Sequence, residues 1–185
     1  MHIDIPVLEN DFVRLSALTL DNYHHLIPIA SQEKLVQFSP SDIETPTALE
    51  KYVTTALEQY KNQTSIPFIV FDKRSKTYAG TTRFMTINWK NKVLEIGSTW
   101  IGREFQGSGL NSEMKKLMLH YAFTIIQFEK VEFRVDERNI RSRKAVEKLG
   151  CALEGILRQN VLMLDGFKRS TCCYGLLKEE WEANK

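Results

Sequence analysis

A run of nine residues, Arg103-Glu104-Phe105-Gln106-Gly107-Ser108-Gly109-Leu110-Asn111, restricts this chain more than any other stretch. Before it, Val93 to Ile101 is an alternating apolar run with the period of a strand. After it, Leu110 to Ile126 is amphipathic with the period of a helix. The unit is therefore strand, short glycine-containing loop, helix. Glycines let a backbone turn sharply and lie close to a ligand. The first amides of the helix, and the positive end of its dipole, then face an anion, and a phosphate or pyrophosphate suits that arrangement. Two familiar phosphate loops do not fit. The Gly-Lys-Ser/Thr ending of a nucleotide triphosphate loop is absent, and Ser112 stands where a dinucleotide fingerprint needs its third glycine.

The rest of the chain has to supply a scaffold for that loop. A length of 185 residues suits one domain spanning 1–185, with a substantial core. The formal net charge is +2, so no global field points to nucleic acid or an anionic membrane. No apolar run approaches the ~20 residues of a membrane span. Met1-His2-Ile3-Asp4 lacks the charged and apolar regions of a secretory signal, which points to a cytoplasmic protein. Cys151, Cys172 and Cys173 form no C-x-x-C pair and read as reduced thiols, so no zinc site is expected; a nucleophilic Cys151 is a minor alternative. Adjacent His24 and His25 would point in different directions on a helix and make a poor metal pair.

Taken in order, Phe12 to Leu18 alternates as an opening strand. Asp21 should cap a short helix through His24, His25 and Leu26 that ends at Pro28. A second helix, about Thr47 to Lys61, carries Leu49, Val53, Ala56, Leu57 and Tyr60 on one stripe. Ile66 to Asp72, Thr77 to Ile87 with a bulge at Gly80, and Val93 to Ile101 form an antiparallel meander through short turns. The helix Leu110 to Ile126 leads to a strand from Lys130 to Val135, and a crossover of that length makes the two flanking strands parallel. Asn139 opens a helix that Gly150 closes. Leu153 to Leu164 and Lys168 to Leu177 flank Asp165-Gly166, a hairpin signal.

The loop matches Q/R-x-x-G-x-G/A through Gln106 and Gly109, with Asn111 in the place of the final Gly or Ala. Around it stand Leu94-Glu95-Ile96-Gly97, Val135-Asp136-Glu137-Arg138-Asn139-Ile140-Arg141-Ser142, Glu147-Lys148-Leu149-Gly150, Glu154-Gly155-Ile156-Leu157-Arg158 and Asp165-Gly166. On these segments the chain resembles the GNAT acetyltransferases, and its second half resembles the branch containing the bacterial ribosomal-protein N-terminal acetyltransferases. Asn111-Ser112-Glu113-Met114-Lys115 resembles a subgroup of that branch with a modified loop end. The first 90 residues carry the likeness through element order alone.

The resemblance implies an α+β, α/β/α fold. Its single mixed, mostly antiparallel sheet has seven strands, is splayed between the fourth and fifth, and carries helices on both faces. It also implies an N-acetyltransferase that uses acetyl-CoA as co-substrate, needs no metal, and passes the acetyl group directly to a primary amine in a ternary complex. The acceptor would be a protein N-terminus or a small-molecule amine, and the protein a monomer or homodimer. The amides of Gln106, Gly107, Ser108, Gly109, Leu110 and Asn111 would cradle the pyrophosphate. The backbone from Ser98 through Trp100 and Ile101 would pair with the pantetheine arm as an added strand does. Asn139 would bond the cofactor near its sulfur, and Arg141, Arg143 or Lys144 its ribose phosphate, although those three cations read equally as a solvated helix face. Glu95 would be the general base, because attack on a thioester needs a neutral amine. Read by pattern alone, Glu95 is a polar residue on a half-exposed strand. Where relatives carry an acidic tyrosine this chain has Val146, which leaves Ser142, or else Tyr174, to protonate the thiolate. Trp89 and Trp100 would line the acceptor side or pack in the core. A non-catalytic module that senses acetyl-CoA or CoA is the rival reading, separated by turnover.

Overall fold

A computed structural model describes residues 5–183. Eight strands form one sheet: β1 (Leu8–Glu9), β2 (Val13–Ala17), β3 (Ile66–Asp72), β4 (Thr77–Asn88), β5 (Val93–Ile101), β6 (Lys130–Asp136), β7 (Ala152–Leu162) and β8 (Lys168–Leu177). Their order across the sheet is β1-β2-β3-β4-β5-β6-β8-β7. Among the described residues only β5 and β6 run parallel. The helices are α1 (Ile27–Ala30), α2 (Pro46–Lys61), α3 (Leu110–His120), α4 (Ile140–Glu147) and α5 (Lys178–Ala183).

Seven of the eight strands are those expected. The eighth, β1, is two residues long, too short to show an alternation. Its turn is set by Asn10, whose Oδ1 accepts from the amides of Phe12 and Val13 at 2.9 and 3.0 Å. Asp21 does not cap a helix. Asn22 takes that position and its side chain folds back instead, accepting from Thr19 N at 2.9 Å. Pro28 does not end a helix either: it lies in the first turn of α1, where a missing N–H costs nothing. Pro46 opens α2 in the same way, with Thr45 Oγ1 accepting from Ala48 N at 3.2 Å. The expected single helix to Ile126 stops at His120 and continues as a π-helical turn, Tyr121–Ile125, that keeps Tyr121, Ala122 and Phe123 buried. Helix α5 shows no stripe in its six residues. It docks through Trp181, whose ring lies 5.2 Å from that of Phe123.

Two cores lie on opposite faces of the sheet. Leu110, Met114 and Met118 of α3 pack with Val13, Leu15, Phe68, Phe84, Leu94, Ile96 and Phe133, and Val146 of α4 joins them. On the other face Leu49 and Val53 of α2 pack with Leu18, Leu26, Ile29, Ile69 and Trp100. Helices thus cover both faces, as the resemblance implied.

The feature that positions the site is a split in the sheet. Strands β5 and β6 pair only at Val93–Lys130, Leu94–Val131 and Glu95–Glu132. Beyond Glu95, β5 follows β4 while β6 follows β8. Two irregularities bend the β4–β5 ribbon there. Thr86 at φ 51° belongs to a bulge on β4, and Ser98 at φ 46° belongs to one on β5, where Ser98 and Thr99 face the single Thr82.

Candidate functional site

The loop after β5 is built on a buried anchor. Phe105 sits in the core at the end of a 3₁₀ turn, Arg103–Phe105. Gly107 and Gly109 follow at φ 80° and 87°, and Gly109 is the residue before α3. A Cβ at either position would meet no atom within 4 Å, so glycine is needed here for its left-handed backbone and not for lack of room. The Ser108 hydroxyl donates to Phe105 O at 2.6 Å and accepts from Leu110 N at 3.3 Å. The amides of Gly107, Gly109, Asn111 and Ser112 find no protein acceptor among the described residues. An open concavity with free amides at a helix start is suited to a phosphate.

Several side chains converge on that loop. Arg141 Nη1 donates to Gln106 Oε1 at 2.7 Å, bringing the start of α4 against it. From the β3–β4 turn, Arg74 Nη1 donates to Ser108 O at 3.1 Å, while its Nε pairs with Asp72 at 3.1 Å. In the sequence Arg74 is part of a polar turn 34 positions away, and nothing local connects it with the loop. Arg143 points elsewhere: its Nε donates to Tyr174 Oη at 3.1 Å and its Nη1 to Glu137 O at 3.2 Å. Lys144 is exposed.

Past the split, one edge of β5 pairs with β4 and the other faces the gap. Ile101 packs partly buried on the α3 side. The Trp100 side chain is 5% exposed and belongs to the α2-side core, so only its backbone reaches the gap. Trp89 packs edge-on to Phe128 and donates from Nε1 to Gln63 O at 2.8 Å. It also borders an open groove of about 640 Å³ lined by Gln59, Met85, Thr86 and Asn88 on the α2 side.

Glu95 lies on the rim of the split, half-buried, on the same face as Met85. Gly97 gives it room: a Cβ there would stand 3.0 Å from Glu95 Oε1 and 2.8 Å from Met85 Sδ. Burial pushes the Glu95 carboxyl above the usual range, against the pull of Arg134, and the charge on Glu132 pushes it the same way. Thr86 and Arg169 pull it down. Glu132 is held in its charged form by Lys130 at 3.1 Å and Arg134 at 3.0 Å. A carboxylate with a raised affinity for protons beside a gap in a sheet is suited to general-base work.

On α4, Asn139 is the N-cap as expected, its Oδ1 accepting from Ser142 N at 3.1 Å. Its Nδ2 remains for another partner. Ser142 is half-buried in the first turn, and Val146 is buried against the core. Tyr174 is 1% exposed; its hydroxyl donates to Glu147 Oε1 at 2.8 Å while receiving the Arg143 bond. Burial raises its proton affinity further. Cys151 is buried, and burial pushes its thiol up to about 12, so it is no thiolate at neutral pH.

Besides Arg74, a second residue near the split escaped the sequence. Lys115, one and a half turns into α3, is 6% exposed. Its Nζ donates to Thr99 Oγ1 at 2.7 Å on β5 and lies 5.8 Å from the Phe133 ring centroid on β6. Its place on a Met-rich helical stripe was the available signal.

Comparison with known proteins identifies the family and the fold. The family model described as an acetyltransferase (GNAT) domain matches residues 13–152. YdaF of Bacillus subtilis (strain 168), provisionally named a ribosomal N-acetyltransferase, is 28% identical over 186 residues, covering 100% of this chain and 96% of its own. Spermidine N(1)-acetyltransferase of Escherichia coli (strain K12) is 33% identical over 79 residues, 43% of this chain and 42% of that one. Among solved structures, a GCN5-related N-acetyltransferase from Brucella melitensis superposes with a TM-score of 0.88 at 27% identity, covering 99% of this chain and 83% of that chain. Spermidine N-acetyltransferase from Vibrio cholerae, solved with CoA and spermine, shares the fold at a TM-score of 0.77 and 19% identity, covering 94% and 99%.

Proposed function

The chain belongs to the GNAT acetyltransferase family and is an N-acetyltransferase, and on that premise we propose that it passes the acetyl group of acetyl-CoA directly to a primary amine at the split between β5 and β6. Acetyl-CoA would supply an acyl group activated as a thioester. The chain's own residues do the rest. The free amides of Gly107, Gly109 and Asn111 bind the pyrophosphate, with Arg141 and Arg74 adding positive charge around the loop; the amides of Gln106, Ser108 and Leu110, expected to join them, are bonded within the loop instead. The free edge of β5 from Ser98 to Ile101 receives the pantetheine arm as an added strand would be received. Asn139 offers its remaining Nδ2, and of Arg141, Arg143 and Lys144 it is Arg141, already at the loop, that takes the phosphate-binding part, Arg143 being bonded to Tyr174.

Glu95 holds the proton removed from the acceptor amine as its nitrogen attacks. Its raised proton affinity brings it closer to the amine's own, which eases the transfer. Ser142 supplies a hydroxyl that hydrogen-bonds the departing sulfur and relays a proton to it, taking one from solvent water as it gives up its own, so that the serine ends neutral and the thiolate ends as the thiol. Tyr174 serves poorly for this, since its proton is directed at Glu147. The acceptor approaches from the α2 side, the face carrying Glu95 and Met85 and the groove beside Trp89. No helix among the described residues is long and apolar enough to cross a membrane.

The observation that carries this reading is the end of β5–β6 pairing at Glu95 and Glu132. It places a carboxylate of raised proton affinity on the rim of a gap whose far end opens on the free amides of the loop. The test is thiol release from acetyl-CoA with a panel of amines: peptides with free α-amines, lysine peptides, polyamines and amino acids. Turnover with at least one is expected, together with a thermal shift worth about 2.7 kcal/mol at a hundredfold excess of acetyl-CoA over its Kd. A shift without turnover on any amine would favour a sensor. No shift at millimolar acetyl-CoA would overturn both.

A further inference from the structure

Lys115 is a cation in a place where cations are expensive. Its side chain is 6% exposed, and no carboxylate pairs with it among the described residues. Burial pushes its amine down to about 7, with the Cys151 thiol as the other group acting on it. Its surroundings are Thr82 of β4, Thr99 of β5, Phe133 of β6, and Cys151 just before β7. Thr99 accepts from Nζ at 2.7 Å; Thr82 lies at 3.5 Å and bonds the Thr99 hydroxyl at 2.8 Å. Cys151 is neutral at neutral pH, with Glu180 of α5 the carboxylate acting on it.

The position matters more than the burial. Thr99 and Phe133 both lie past the last paired rung, one on each lip of the split. Lys115 therefore bonds one lip and stands 5.8 Å from the ring centroid on the other, on the α3 side of the sheet. It also rides on the helix whose first turn carries the free amides, about 7.5 Å along the axis from Leu110 at ~1.5 Å per residue. Two hydroxyls cannot satisfy three ammonium protons, so a charged Lys115 has a donor to spare.

We propose that Lys115 is a cofactor-binding residue, whose amine floors the slot between β5 and β6 and takes up a proton as acetyl-CoA enters. This rests on the acetyltransferase reading. The pyrophosphate brings negative charge close to a poorly solvated amine, which favours its protonated form, and the pantetheine arm brings amide carbonyls for the spare donor to meet. Without ligand the neutral amine is tolerated among hydroxyls and an aromatic ring. With ligand the ammonium has counter-charge.

The test is calorimetric titration of acetyl-CoA at pH 8 in buffers of different ionisation enthalpy, and again from pH 7 to 9. The second ionisation of phosphate is near 6, so the ligand's own charge is constant across that range. Wild type should show net proton uptake, and its Kd should weaken by roughly tenfold from pH 7 to 9. Lys115→Met should bind more weakly at pH 7, show no net uptake, and have a nearly pH-independent Kd. Lys115→Gln carries the same expectation for uptake if the Met variant does not fold. Binding by wild type without proton uptake would overturn the proposal even if neither variant folds, as would uptake that persists in the variants. If wild type binds no acetyl-CoA at any pH, the acetyltransferase reading itself has failed.

Discussion

Glu95 and Glu132 are partners on the last rung at which β5 and β6 pair, so the point where the sheet opens is marked by two carboxylates. Their surroundings make them unequal. Lys130 and Arg134 clamp Glu132 and hold its proton affinity down, while burial holds that of Glu95 up. One is thereby held toward its charged form, and the other takes up a proton more readily than an ordinary carboxylate.

The first expectation concerns Glu95→Gln, which keeps size and hydrogen bonding but accepts no proton. Turnover should fall by about 10²–10⁴-fold with acetyl-CoA affinity nearly unchanged. A raised carboxyl protonates at a higher pH than the ordinary ~4.3, so the acid limb of the wild-type kcat/KM profile should lie above that value. If the variant keeps the wild-type rate and the same acid limb, Glu95 is a polar rim residue.

Gly109→Glu places a charge and a side chain at φ 87° with no atom to collide with. The backbone cost is about 1–2 kcal/mol, which the apo fold should survive with a lowered Tm. Acetyl-CoA affinity should collapse, because a carboxylate would sit where the phosphates bind. Isothermal titration decides, and an affinity within twofold of wild type would move the phosphate site elsewhere.

Tyr174→Phe separates an anchor from a proton donor. The hydroxyl ties Glu147 and Arg143 of α4 to β8, so its loss should cost about 1 kcal/mol in denaturant unfolding. Turnover should stay within a few-fold, whereas Ser142→Ala should lower kcat. A large kcat loss in the Phe variant with an unchanged Ser142→Ala would reverse the two roles.

Lys115→Met should make the apo protein more stable. The folded state depresses the amine from 10.5 to about 7, so it prefers the neutral form. The stability that goes with neutrality is present above pH ~10.4 and lost as pH falls toward 7, below which the buried charge imposes its full cost. The Tm advantage of the variant should be largest at pH 7 and below and shrink as pH rises toward 10. At about 2–4 °C per kcal/mol for a chain of this size, a thermal melt series resolves it. An advantage that did not change with pH would show that the folded state does not depress the Lys115 amine.

Much of this protein is decided within short stretches of sequence. Alternation in Val93–Ile101, the glycines at 107 and 109, and the amphipathic run from Leu110 produce strand, loop and helix through local sterics and periodicity, and a crossover of that length makes β5 and β6 parallel. Asn139 caps α4 through a bond three residues away. The limits of local reading are equally specific. Leu8–Glu9 is too short to show a period, and Pro28 ends a helix or opens one according to what precedes it. Tertiary structure alone decided that Arg141 meets Gln106 while Arg143 turns to Tyr174, that Arg74 reaches Ser108, and that Trp100 packs under α2. It also decided the protonation chemistry of Glu95 and Lys115. Proton affinity is set by burial and by charges brought close from other strands, and no window along the chain contains Glu95 with Arg134 and Arg169, or Lys115 with Thr99, Phe133 and Cys151.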